Sequence, residues 1–500
     1  MRIFRNGDSI PVKDLPEIEL DVFLQRIVGL TRDRWRVVAY FGVPERDGIG
    51  LWCVMAGSGE RLGAMRSWVR NHLPSLVADC PDLQLFEREI AEQYGIVFDG
   101  HPWFKPVRYH RSLRRGEDAW GRSRDDAILP GVGDFYRVEG PEVHEVAVGP
   151  VHAGIIEPGH FRFQCHGETV FNLEIALGYQ FRGIEQALLG GPHRTTMAQM
   201  ETVAGDTTIG HAVAYAMIRE GLAGVEPPSR AESIRGVALE LERLANHCGD
   251  LGALAGDVGF LPTMSLCGRI RGDFLNLSAL LCGSRFGRGL VRPGGTLFDC
   301  APHQVAETLK RLDLIQRDYA AAVTLLWDSP SVMARFEKTG PVSRDDALAL
   351  GLVGPAARAC GIERDVRSDN PFGVYRTYPF TPHLHQTGDV LARAMLRWQE
   401  SESSLGIIRN CLTSLPDGKI LLPCGTLGKE RLAVALMEGW RGEICHVAIT
   451  DKTGHFLRYK LKDPSFHNWN GLAIAMRNGQ ISDFPLCNKS FNLSYCGFDL

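Results

Sequence analysis

The sequence predicts an α+β protein: a small N-terminal α+β domain over residues 1–110, a linker over 111–140, and a mainly α-helical domain with small β elements over 141–500. Three observations carry that expectation. Strand-like and amphipathic runs alternate in the first hundred or so residues, mixed charge without apolar periodicity follows, and long apolar stripes at helical spacing dominate thereafter. A chain of 500 residues, 44% hydrophobic and 23% charged, has room for two or three domains with large cores. Its 55 basic residues against 59 acidic ones leave a net charge of −4, which argues against a protein that coats nucleic acid.

Taken in order, residues 35–44 and 49–56 read as β-strands joined by the polar turn Glu45-Arg46-Asp47-Gly48. An amphipathic helix is expected over Arg61–Leu73, stopped by Pro74, and another over Leu83–Tyr94. The segment 111–140 carries Arg111, Arg114, Arg115, Glu117, Asp118, Arg122, Arg124, Asp125 and Asp126 ahead of a Pro/Gly-rich stretch, the pattern of a linker or surface strap. A strand pair is expected over 160–178, with Gly167 at its turn. The clearest helix opens at Ser229-Arg-Ala-Glu232, which has the form of a capping box. Behind it Ile234, Val237, Leu241, Leu244, Cys248 and Leu251 define a face to be buried. Residues 303–327 and 386–411 repeat that style, and 444–450 with 455–461 read as a hairpin through Asp451-Lys-Thr-Gly454.

The 13 cysteines are scattered, and no C-x-x-C occurs. Close thiolate pairs mark zinc, iron–sulfur and dithiol sites, so none of these is written in its ordinary form. The odd count, without an apolar leader, points to a reducing, cytoplasmic compartment. No apolar run approaches the ~18–20 residues of a membrane span. Gly425-Thr-Leu-Gly-Lys429 lacks the spacing and the Ser/Thr of a P-loop, and no G-x-G-x-x-G occurs. His383-Leu-His385 offers two imidazoles on one strand face but no third ligand nearby.

Several segments set charged residues beside Gly-rich turns or on apolar helices. They are Gly149–His160, Phe181-Arg-Gly-Ile-Glu185, Val203-Ala-Gly-Asp-Thr-Thr-Ile-Gly-His211, Glu240–Asp250, Arg285–Gly295, Arg441-Gly-Glu443 and Asp483–Ser490. Arg182, Glu185, Glu242 and Arg243 fall among positions that periodicity packs, and a buried charge must be paired or functional.

On these segments the second unit resembles the large-subunit family shared by membrane-bound [NiFe] hydrogenases and the 49-kDa subunit of complex I, with the formate hydrogenlyase and hydrogenase-4 large subunits nearest. Glu240-Leu-Glu-Arg-Leu-Ala-Asn-His-Cys-Gly-Asp250 carries much of that likeness. The first unit is similar to the 30-kDa subunit of complex I through Glu87-Arg-Glu-Ile-Ala-Glu-Gln-Tyr-Gly-Ile-Val-Phe-Asp-Gly-His-Pro102. The likeness implies a place on the cytoplasmic face of the inner membrane, peripheral. Its implied partners are a small subunit carrying a [4Fe-4S] cluster and antiporter-like membrane subunits, with no nucleic acid.

The pattern departs from the family where chemistry is densest. Hydrogenase relatives hold nickel and iron through an early and a late C-x-x-C, soft thiolates that suit those metals. Aligned on Val203 and His211, the early pair becomes Ala204 and Thr207, and the late pair becomes Ser494 and Gly497, with Cys496 one position out of register. A [NiFe] centre is therefore not expected, and no metal ligand is assigned. In complex I a loop histidine and a following tyrosine receive the quinone headgroup. Here His152 keeps the first loop position as a cofactor-binding candidate, while Ile156 and Thr202 stand at the other two. Arg182 and Glu185 match the Arg-Gly-x-Glu segment whose glutamate looks like a proton-transfer residue. Arg441 matches the arginine facing the iron's diatomic ligands, His211 the histidine beside the metal thiolates, and Asp206 adds a carboxylate. These residues form either a metal-free proton relay or an inherited packing network. The functional expectation is a subunit of a membrane-bound oxidoreductase of this lineage that passes electrons to a quinone-like acceptor coupled to ion movement. The alternatives are a non-redox coupling subunit, or a hydrogenase with a site rearranged around Cys496 and Cys487.

Overall fold

The structure is a computed structural model and describes residues 1–45, 47–123, 125–129, 135–152 and 156–500. Arg46 of the expected turn, Arg124 and 130–134 of the expected linker, and 153–155 of the Gly149–His160 segment lie outside the described residues.

The chain begins with β1 (Arg2–Phe4), β2 (Ser9–Pro11), α1 (Leu20–Arg32), β3 (Arg36–Pro44), β4 (Ile49–Gly57), β5 (Arg61–Val69) and α2 (Gln84–Tyr94). Four of these strands make an antiparallel sheet in the order β1-β5-β4-β3. The expected strand pair and the helix at Leu83–Tyr94 are both present. Residues 61–69, however, are a strand rather than the expected helix. Gly59 and Glu60, at φ +74° and +58°, close a hairpin that sets Arg61 opposite Gly57. Pairing with β4 then outweighs a local helical period already weakened by Gly63.

Past the strap, β6 (Val143–Val148), β7 (His160–His166) and β8 (Thr169–Ala176) form a three-stranded sheet with β7 in the middle. The last two are the expected pair. β6 was not anticipated, because none of its residues is fully buried and no apolar alternation marks it.

The helical part is built from α3 (Thr208–Ala223), α4 (Ser229–Asp257), α5 (Leu261–Cys282), α6 (Pro302–Trp327) and α7 (Val390–Thr413). All six residues of the expected α4 face are at most 2% exposed. α5 lies close against α4 because Gly252 and Gly256 offer no side chain. A Cβ at Gly252 would stand 2.7 Å from Cys267 Cβ, and one at Gly256 2.7 Å from Met264 Sδ. The expected capping box is not formed. Extended Pro228 (ψ 144°) serves as N-cap, so the helix starts one residue earlier and Ser229 makes no capping bond.

The hairpin of β10 (Gly442–Thr450) and β11 (Phe456–Lys462) joins β9 (Arg431–Gly439), and every residue of β10 is buried. The order of this sheet is β11-β10-β9-β2, so Ser9–Pro11 pairs with Arg431–Ala433. It is a central layer rather than an edge decoration, and α3 packs on it. A buried ion cluster adds to the join: Lys460 Nζ donates to Glu89 at 2.6 and 2.7 Å and to Glu185 at 3.1 Å, while Arg108 pairs with Glu89. Among the described residues no helix is long and apolar enough to cross a membrane.

Candidate functional site

The turn between β9 and β10 carries Trp440 and Arg441 on a two-residue connection, because Gly439 faces Gly442 in the register. That turn aims Arg441 at the loop ahead of α3. Its Nη1 and Nη2 donate to Asp206 Oδ1 and Oδ2 at 2.5 and 2.7 Å, Nη1 reaches Thr207 Oγ1 at 3.2 Å, and Nε donates to the Asn492 carbonyl at 2.5 Å. Trp440 stacks under the guanidinium at 3.9 Å and donates Nε1–H to the Asp206 carbonyl at 3.0 Å. Burial works against the Arg441 charge, but Asp206 outweighs it, so the guanidinium stays charged. Arg182 joins the same two loops: it donates to the carbonyls of Thr202, Val203 and Cys496 at 2.7, 2.8 and 3.0 Å.

His211, in the first turn of α3, belongs to a buried chain of four side chains. Its Nε2 is 3.1 Å from Asp463 Oδ2, its Nδ1 is 3.1 Å from His446 Nε2, and His446 Nδ1 is 2.9 Å from the Tyr459 hydroxyl. One set of tautomers satisfies every link: Tyr459 donates to His446, His446 to His211, and His211 to Asp463. Burial, reinforced by His211, holds the His446 pKa well down, which keeps that ring neutral. Burial alone would raise the Asp463 pKa, but the His211 hydrogen bond and the Arg441 charge hold it down. The chain can pass a proton stepwise between a phenol and a carboxylate without admitting water.

Glu242 is a further acidic group beside Asp206. Its carboxyl accepts from the Ile209 and Gly210 amides at 2.7 and 3.1 Å and so caps α3 from across the α3–α4 contact. Burial pushes its pKa up to about 8; the two amides pull the other way and the Asp206 charge adds to the rise. A narrow crevice between α4 and α5 is lined by Glu242, Asp206, Asn246 and Arg271 among others.

Glu185 stands in a different network. Its oxygens accept from Arg458 Nη2 at 2.8 Å, Lys460 Nζ at 3.1 Å and the Leu461 amide at 2.9 Å. Burial opposes its charge, but Lys460, Arg458 and Arg108 outweigh it and hold the carboxyl far below its usual range. Among the described residues it shares no hydrogen bond or ion pair with Asp206 or His211. His152 stays within its own loop, with Nε2 3.0 Å from the Gly159 carbonyl and its ring 6.4 Å from that of Tyr495. The Thr202 hydroxyl donates to its own helix, at the Ala198 carbonyl 3.0 Å away. His383 and His385 bond to Ser403 and Gln399 at 2.8 and 3.1 Å.

With this geometry established, the relatives are informative. Residues 257–426 match the family model of the respiratory-chain NADH dehydrogenase 49 Kd subunit, and residues 54–114 that of the 30 Kd subunit. The carbon monoxide-induced hydrogenase of Rhodospirillum rubrum is 31% identical over 356 residues, spanning 70% of this chain and 97% of that protein. Hydrogenase-4 component G of Escherichia coli is 27% identical over 512 residues, spanning 97% of this chain and 86% of that protein. A solved structure of the membrane-bound sulfane sulfur reductase, an archaeal respiratory membrane complex, shares the fold at TM-score 0.67 and 23% identity, over 72% of this chain and 99% of that one. The chain belongs to the family that unites these hydrogenase large subunits with the 49 Kd subunit of respiratory-chain NADH dehydrogenase.

The residues present do not fit a nickel–iron group. Ala204 is fully buried and has no donor, and Thr207 accepts from Arg441. Ser494 caps the last helical turn by accepting from the Gly497 amide at 2.9 Å. A Cβ at Gly497 would stand 2.8 Å from Asp463 Cγ, so a carboxylate crowds that position. Cys496 lies 3.4 Å from Ser494 Oγ, and burial pushes its thiol up to about 11. Cys487 is buried against Arg393 and is likewise pushed up to about 11 by burial. Among the described residues no group of three or more His, Cys, Asp or Glu side chains is arranged to hold a metal ion.

Sequence reasoning named Asp206, His211 and Arg441 but missed Asp463, His446 and Tyr459. Their only local signal is a polar residue among buried strand positions, as at His446. Glu242 was noticed as a packed charge without being placed in the site.

Proposed function

We propose that this chain is the large subunit of a membrane-bound oxidoreductase complex of the hydrogenase and NADH dehydrogenase lineage, working without nickel. The observation that carries the reading is the Arg441 clamp. A guanidinium, a carboxylate and a hydroxyl tie together the two loops whose counterparts in hydrogenase relatives hold the metal. In this reading residues 1–110 and 141–500 are the two modules, joined by 111–140. The complex docks peripherally on the cytoplasmic face of the inner membrane with antiporter-like membrane subunits, and a small partner subunit carries a [4Fe-4S] cluster. Electrons leave that cluster for a quinone-like acceptor at the junction of the two subunits. Asp206, Glu242 and the Tyr459–His446–His211–Asp463 chain supply and remove protons. His152 and Thr202 spend their donors on backbone carbonyls, so the donor left for the acceptor's oxygen is the second Nη2–H of Arg441, the one not given to Asp206.

The complex purified with its partners provides the test. After reduction with dithionite, a soluble quinone analogue should reoxidise the partner's cluster, followed by electron paramagnetic resonance, in the parent and far more slowly in Asp206→Ala. A cluster reoxidised equally fast in the variant removes the site from the reaction. A complex without any cluster signal removes electron transfer altogether.

A further inference from the structure

Behind the turn that carries Arg441, and apart from the Tyr459 chain, lies a buried network of charged side chains that the site does not use. Its cations are Arg243, Arg358 and Arg367, its anions are Glu240, Asp365, Glu400 and Glu438, and none is more than 1% exposed. Arg358 reaches Glu400 at 2.7 Å and Glu438 at 2.8 Å, Arg367 reaches Asp365 at 2.7 Å, and Arg243 reaches Glu240 at 3.1 Å. Arg243 also donates to the Glu438 and Gly439 carbonyls at 2.7 and 2.9 Å, which ties the network to the base of the Trp440–Arg441 turn.

The charges do not balance. Four carboxylates face three guanidinium groups, and among the described residues the only other ionisable group at ion-pair distance from them is His247. His247 does not supply the missing charge. Its Nε2 lies 3.2 Å from Glu400 Oε2, its Nδ1 has no hydrogen-bond partner among the described residues, and burial lowers its pKa, so the ring stays neutral and donates Nε2–H. The flanking groups are offset separately. Glu443, opposite Glu438 in the β9–β10 register, pairs with Arg36 and Lys462. Half-buried Asp369 accepts from the Asp365 amide at 3.2 Å and is countered by Arg36 and Arg364. One unit of negative charge is left over in a fully buried interior, where an uncompensated charge is costly.

The crowding falls on one nitrogen. Arg358 Nη1 carries two hydrogens and gives them to Glu438 Oε1 at 2.8 Å and the Arg364 carbonyl at 2.9 Å, yet Asp365 Oδ2 also stands 3.0 Å from it. Two carboxylates thus press on a nitrogen with no hydrogen left for the second. Burial first, then the Asp365 charge, push the Glu438 carboxyl above its usual range, against the pull of Arg358 and Arg367. Asp365 is held down against burial by Arg367 and Arg358.

We propose that Glu438 and Asp365 form a proton-binding site that retains one proton up to neutral pH, with Glu438 as the carboxylic acid and Asp365 as its ionised neighbour. The proton leaves three carboxylates against three guanidinium groups and balances the network. The site is separate from the Arg441–Asp206 pair and does not depend on which acceptor the complex reduces.

Infrared spectroscopy and urea unfolding of the full chain test this with Glu438→Gln, whose amide keeps the shape and neutrality of a protonated carboxyl, and with Glu400→Gln as the contrast. At about pH 6, above the ordinary carboxylate range, Glu438→Gln should lose the deuterium-sensitive carbonyl band of one protonated carboxyl. The stabilisation from a raised folded pKa is fully present below the unfolded value of about 4.3 and is lost as pH rises through the folded one. Relative to Glu438→Gln, the parent's unfolding constant should therefore rise by up to about tenfold per pH unit between about pH 5 and neutrality. At neutral pH Glu438→Gln should keep the parent's circular dichroism, whereas Glu400→Gln, which strips Arg358 and His247 of an ionised partner, should unfold at lower urea. The proposal is overturned if the carboxyl band survives in Glu438→Gln, or if the two unfolding constants run parallel with pH. It is equally overturned if Glu438→Gln fails to fold or is as unstable at neutral pH as Glu400→Gln.

Discussion

The Arg441 guanidinium holds the Asp206 carboxylate through two parallel hydrogen bonds of 2.5 and 2.7 Å, although the residues are 235 positions apart. The arginine side is nearly buried and the aspartate side about one-third exposed, at 5% and 35%. Breaking the pair therefore leaves a buried cation with partial access to water. Asp206→Asn should cost about 1–2 kcal/mol in denaturant unfolding, the fully buried value discounted for that exposure. Arg441→Lys should not restore the parent, because an ammonium cannot make the forked contact while also reaching Asn492.

The Glu185 cluster sets an acid limit. Its folded pKa lies below the unfolded value of about 4.3, so its contribution is fully present above that pH and is lost as pH falls towards the folded value. Glu443, held down against burial by Arg36 and Lys462, acts in the same direction. Glu185→Gln should therefore flatten the acid arm of the stability profile. At neutral pH it should also cost about 3–5 kcal/mol, because Lys460 and Arg458 lose a buried partner. Thermal or urea unfolding between pH 3 and 7 measures both effects.

Tyr459→Phe removes the terminal hydroxyl of the histidine chain and preserves its shape. The expected stability cost is about 1 kcal/mol. If the chain carries protons during turnover, activity of the assembled complex should fall by about a hundredfold and its pH profile should shift. An unchanged profile would leave the four residues a packing role only.

Protease cleavage within 111–129 should leave two fragments that stay together. β2 belongs to the β11-β10-β9-β2 sheet, and Lys460 bridges Glu89 and Glu185 across the same join. Size-exclusion chromatography of the cut protein should show one species at the intact elution volume, and separation would contradict the shared sheet.

Local periodicity carried the helical part well. The α4 face was legible because six apolar residues recur at the helical spacing and all six are buried. The strand at 61–69 was not, because its conformation is decided by pairing with β4, which no local pattern announces. The site divides along the same line. Asp206, His211 and Arg441 stand inside recognisable segments, whereas the partners of His211 come from β10 and the residue just after β11, more than 230 residues further along. Glu185 was readable as a buried charge, but only the three-dimensional structure brings Lys460 and Arg458 to it and separates it from Asp206.

The central claim is that an ion pair and a hydrogen-bonded carboxylate occupy the region that holds nickel in hydrogenase relatives. Nickel and iron analysis of the purified complex, paired with hydrogen-dependent dye reduction, tests it most directly. The account predicts nickel far below one atom per chain, iron matching only the partner's clusters, and no dye reduction with hydrogen. Stoichiometric nickel together with hydrogen-dependent dye reduction would contradict it.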